Sequence, residues 1–79
     1  MLRDKLLSSQ NIFLITEAQN CKTDLELLYM YDRYMRALQS EILYSTNTSL
    51  KEKLRTEFNR LTALCELDAL ILRNELQQQ

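Results

Sequence analysis

The sequence predicts an all-α protein, and within that class an antiparallel, up-down-up bundle of three helices. Three observations carry this. The 79 residues include neither glycine nor proline, so the two strongest helix-breaking residues are missing. Valine is absent as well, and the helix formers Leu, Glu, Lys, Arg, Gln and Met dominate. Turns must then be built from Asn, Ser, Thr and Asp, which bond back to their own backbone. Such residues cluster in only two places, "QNCKTD" (19–24) and "YSTNTS" (44–49). Two turns give three helices, at about residues 2–20, 24–43 and 49–75, and loops of about four or five residues make neighbours antiparallel.

The first helix is the least regular. Leu7, Leu14, Ala18 and Cys21 form one stripe, with Asn11 inside it, whereas Leu2, Leu6 and Phe13 form another almost opposite. A continuous helix over 2–20 is the preferred reading. Its rival has Ser8 or Ser9 capping a helix that starts there, with residues 1–7 frayed or reaching into a partner.

The second helix begins at a capping box, Thr23-Asp24-Leu25-Glu26, in which the Thr23 hydroxyl accepts from the Glu26 amide and the Glu26 side chain reaches back. Leu27, Leu28, Met30, Tyr31, Tyr34, Met35, Leu38 and Ile42 fill one half of the wheel, and charged and polar residues fill the other. Asp32 and Arg36 are placed for an i, i+4 ion pair. Half a cylinder of apolar surface is more than one neighbour covers, so this helix is central.

Asn47 or Thr48 caps the third helix. Leu50, Leu54, Phe58, Leu61, Cys65, Leu72 and Leu76 make a narrow core stripe, and Leu64, Leu67 and Ile71 make a second stripe beside it, in the later half only. Leu70 points away from both. Either the first helix covers the second stripe, or the stripe is exposed and takes a partner. Wide, uneven stripes disfavour the competing architecture, a sustained heptad coiled coil. The closing "NELQQQ" reads as a helix fraying into solvent or a linker.

Composition excludes several function classes. The length allows one domain, spanning 1–79, with a thin margin of stability. Ten basic and eleven acidic residues nearly cancel and no basic cluster stands out, which argues against nucleic acid. The longest apolar runs, "IFLI" and "ALIL", fall far short of the roughly 20 residues of a membrane span, and the N-terminal "MLRDKLLSSQ" does not read as a secretory signal. Cys21 and Cys65 read as small core residues in a reducing compartment, so a cytosolic protein is expected.

Histidine is absent, no metal-ligand spacing occurs, and without glycine no phosphate-cradling loop is available in the ordinary way. Glu66 and Asp68, two residues apart, point to different faces of a helix and make no catalytic pair. No enzymatic role and no cofactor are expected. Lys51, Lys53 and Arg55, interleaved with Glu52 and Glu57, read as a mixed solvated face.

The layout resembles the MIT (microtubule interacting and trafficking) domain in its katanin-like form. "SQNIFLITEAQNCKTDLELLYMYDRYM" lies without gaps on the family's first two helices, "TSLKEKLRTEF" resembles the entry to the third, and Tyr31 falls where a tyrosine is common. The chain departs from the pattern at Lys22, where glycine is usual, at Asp24, where an aromatic is usual, and at Leu27, where a small alanine is usual. The resemblance implies a module that binds C-terminal peptides of ESCRT-III proteins, as a helix between the second and third helices or as an extended segment between the first and third.

The residues themselves suggest a surface. Leu64, Leu67 and Ile71 would join Met35 or Leu38 across a groove that takes an amphipathic helix with leucines at i, i+3 or i+4, and i+7. Glu66 would anchor a basic residue of that ligand. The expected function is therefore a non-enzymatic module that binds a helical peptide of a partner protein. The alternative is a structural subunit, with the extra stripe as the seam of a homo- or hetero-oligomer. Ile71→Asp separates the two: it abolishes peptide binding in a folded monomer, but dissociates or unfolds an assembly.

Overall fold

The computed structural model describes residues 1–78, which are all-helical, with four helices in place of three: α1 (Leu2–Leu7), α2 (Ile12–Asn20), α3 (Asp24–Tyr44) and α4 (Thr48–Gln77). The last two match the expected second and third helices. The continuous helix over 2–20 does not form. It breaks at residues 8–11, and its two opposed stripes explain why. A straight helix buries one of them. The break turns Leu2 and Leu6 from one stripe, and Leu14 and Ala18 from the other, into the same core, where none is more than 3% exposed. Leu7 and Phe13 are left at the surface.

Neither Ser8 nor Ser9 caps α2. Asn11 does, its Oδ1 accepting from the Leu14 amide at 3.1 Å. The chain reverses at Gln10, whose φ of 59° lies in the left-handed region, at a cost of roughly 1–2 kcal/mol to a residue with a β-carbon.

Cross-helix contacts set the directions. The Arg3 guanidinium donates to the Ala18 carbonyl, so α1 doubles back along α2. Phe13 stacks on Tyr34 with ring centroids 5.5 Å apart, and Cys21 lies in a groove with Glu26, so α2 and α3 are antiparallel. Asp32 meets Arg73, while Gln39 shares a hollow with Phe58, so α3 and α4 are antiparallel too. α1 lies along α4, with Ser9 at Arg60 and Leu2 beside Leu72. Tyr31, Leu27, Leu61, Cys65 and Ala69 complete the centre of the core. The far ends of α3 and α4 extend past the 8–11 turn as a helical hairpin, with Leu43, Tyr44 and Leu50 exposed around its tip.

Two local expectations are corrected. Thr23 Oγ accepts from the Glu26 amide at 3.1 Å, but the Glu26 carboxylate accepts a hydrogen bond from the Thr23 hydroxyl instead of reaching back to the amide, so the capping box is half formed. Asp32 and Arg36 make no ion pair: Asp32 binds Arg73 at 2.8 Å, and Arg36 Nε donates to the Asp32 carbonyl. α4 is capped by Asn47, whose Oδ1 accepts from the Leu50 amide. It runs to Gln77 with Gln78 at its end, and the last residue of "NELQQQ", Gln79, lies outside the described residues.

Candidate functional site

α1 is only two turns long, and this leaves the second stripe of α4 partly bare. Leu64 is half-buried against the core, but Leu67 is 69% and Ile71 48% exposed. The two are four residues apart, on one flank of the helix. Ile71 also borders a hollow of about 290 Å³ between α1, the start of α3 and α4, which Leu2, Leu27 and Leu72 line together with Asp4, Asp24, Asp68 and Glu75. Arg3 lines it too, with its guanidinium donating to the Ala18 carbonyl, and the Met1 amine lies 3.5 Å from Asp68. Four carboxylates against two cations leave this region acidic.

The other expected site residues are not gathered there. Met35 and Leu38 are buried in the α3–α4 seam. Glu66 lies on the opposite flank of α4 and faces α3, where it accepts a hydrogen bond from the Tyr31 hydroxyl at 2.8 Å and sits 3.8 Å from Arg73. Arg73 bridges on to Asp32. Side chains of the chain itself therefore occupy the polar edge of the α3–α4 groove. Met35 and Glu66 share a hollow there with Phe58 and Thr62 that does not include Leu64, Leu67 or Ile71. The expected single groove is not formed: Ile71 borders the hollow beside α1 and Leu67 faces outward, whereas Glu66 and Met35 belong to the α3 side of α4.

Burial, and then the hydrogen bond to Glu66, push the Tyr31 hydroxyl well above the usual tyrosine range. Burial raises the Cys65 thiol to about 11. Both stay protonated at neutral pH, which suits packing and not nucleophilic chemistry. Bidentate pairing with Arg60, and to a lesser extent the Asn11 amide, hold Glu57 below the usual carboxylate range despite some opposing burial. Asn11 also donates to the Tyr34 hydroxyl at 2.9 Å, and Arg60 donates to the Ser9 carbonyl at 2.6 Å, so this node fastens the 8–11 turn to α3 and α4. Among the described residues no cluster of three or more His, Cys, Asp or Glu is placed to hold a metal, and no helix is long and apolar enough to cross a membrane.

A second surface escaped the sequence reading. The groove between α2 and α3 is lined by Phe13, Tyr29, Met30, Tyr34 and Ala37, with Glu17, Glu26 and Arg33 among them. Phe13 and Tyr29 are each more than half exposed. The available signal was Phe13 itself, which belonged to a stripe that a straight first helix could not bury together with the other.

No protein-family model, curated protein or solved structure matches this chain. A functional reading therefore rests on the surfaces.

Proposed function

We propose that this chain is a non-enzymatic, cytosolic interaction module that takes a short amphipathic helix of a partner protein against the α4 flank at Leu67 and Ile71. The observation that carries this is the pairing of those two exposed side chains with the acidic hollow beside them. An apolar helical strip of this spacing suits leucines at i, i+3 or i+4, and i+7 of a docking helix. Four nearby carboxylates favour a ligand whose polar edge is basic.

The MIT-like pattern supplies a partner class, the C-terminal tails of ESCRT-III proteins. On that reading α2, α3 and α4 are the family's up-down-up helices, and α1 is an added arm laid on α4. α1 packs against both α2 and α4, and the exposed flank borders it on α4. The internal bridges Tyr31–Glu66 and Asp32–Arg73 disfavour the groove between the second and third.

The test is a titration of the ¹⁵N-labelled protein with a synthetic ESCRT-III tail peptide and, separately, with a plain Leu/Lys amphipathic helix. Amide shifts centred on Leu67, Ile71 and Leu2 are expected, and Ile71→Asp removes them while the helical circular dichroism persists. Binding of the Leu/Lys helix alone retains the surface and rejects the partner class. Silence with both peptides, or shifts centred elsewhere, overturns the proposal.

A further inference from the structure

We infer that the outer face of α3 is a self-association surface, on which a second copy of this chain packs with its own α3 antiparallel to the first. This goes beyond the peptide site, which lies on α4. Glu26, Tyr29, Met30, Arg33 and Ala37 fall within an arc of about 100° on a helical wheel. Tyr29 is 61% exposed and Met30 half-buried, and Phe13 of α2, also exposed, widens the apolar area on one side.

The order of these residues is self-complementary. A two-fold axis passing between Tyr29 and Met30 sets Glu26 opposite the partner's Arg33, and Arg33 opposite the partner's Glu26. The same axis brings Tyr29 and Met30 of both copies together at the centre. A parallel pairing would instead stack like charge on like charge at both positions, so charge selects the antiparallel arrangement. Both charges are available for it. Arg33 makes no ion pair among the described residues, and its guanidinium lies 5.8 Å over the Tyr29 ring, beside the seam. Glu26 is exposed, and among the described residues its carboxylate accepts a hydrogen bond only from the Thr23 hydroxyl.

The groove suits other occupants less well. A basic helix would meet Arg33, and an acidic one would meet Glu17 and Glu26. The best complement carries both signs seven residues apart in reversed order, and α3 itself is such a helix.

Sedimentation velocity over a concentration series tests this. The wild-type protein should pass from monomer to dimer as concentration rises. Glu26→Arg and Arg33→Glu should each weaken the dimer by about tenfold or more. An equimolar mixture of the two single variants should associate again, because one copy then carries only Arg at these positions and the other only Glu. Leu67→Asp should leave the dimer unchanged, which separates this surface from the peptide site. The inference is overturned if the wild type stays monomeric up to about millimolar concentration. It is equally overturned if the single variants, folded by circular dichroism, dimerise as tightly as the wild type, or if their mixture does not associate.

Discussion

The Tyr31 hydroxyl, on a side chain only 1% exposed, donates a 2.8 Å hydrogen bond across the α3–α4 seam to Glu66. The same edge carries Arg73, which lies between Glu66 and Asp32. The seam is thus closed by polar groups of the chain itself, and the exposed apolar surface is displaced to the other flank of α4.

Tyr31→Phe removes that bond and leaves the ring packing intact, at an expected cost of about 1–2 kcal/mol in chemical denaturation. The pH response follows from the raised folded value. The neutral hydroxyl is favoured in the folded state, while the unfolded chain releases its proton at about pH 10. Its contribution is therefore complete below about pH 10 and is lost as pH rises toward the folded value. Alkaline denaturation profiles of the wild type should fall more steeply in this range than those of Tyr31→Phe.

Asn11 caps α2 and joins the 8–11 turn to Tyr34 and Glu57. Asn11→Ala should cost about 1–2 kcal/mol, at the upper end for a cap because two further bonds are lost. Asn11→Asp retains the cap acceptor but places a carboxylate against Glu57, so it should not restore stability. Equilibrium urea unfolding of the three proteins decides this.

Glu57 provides the acid counterpart. Its folded value is lowered, chiefly by Arg60, so its stabilisation is present above about pH 4.3, the ordinary glutamate value. That stabilisation is lost as pH falls through the lowered folded value. Melting temperatures between neutral and acid pH should fall less for Glu57→Gln than for the wild type, from a lower starting point.

Gln10 holds a left-handed conformation in a chain without glycine. Gln10→Gly should stabilise the protein by up to about 1 kcal/mol, since relief of the strained backbone outweighs the added freedom of the unfolded chain. Gln10→Ala should give no such gain. A melt of each variant checks the 8–11 reversal directly.

Much of this fold is legible because the chain marks its own helix starts. Thr23 and Asn47 both cap as their sequence context suggests, and the apolar halves of α3 and α4 point inward. The first helix departs from the expected single rod because two opposed stripes cannot both be buried on a straight helix. Asn11, a polar residue within an apolar stripe, lies at the break. The candidate surface was half legible. A helical wheel reveals that α4 carries surplus leucine but not which neighbour lies on each flank. The wheel therefore groups Glu66 with Leu67 and Ile71, although it faces α3, and sets Met35 and Leu38 beside a groove that they close. The exposure of Phe13 and Tyr29 depends on how α2 rests on α3, which no single-helix pattern specifies.

Leu67→Asp, measured in parallel by peptide affinity and by thermal melt, tests the central claim most directly. Leu67 is largely exposed, so the melt should move by no more than about 0.5 kcal/mol equivalent. Affinity for a basic amphipathic helix should fall about tenfold or more, as expected when an apolar contact at the centre of an interface is replaced by a charge. Unchanged affinity in the folded variant would contradict the account, and so would a collapse of the melt that shows Leu67 to be an ordinary part of the core.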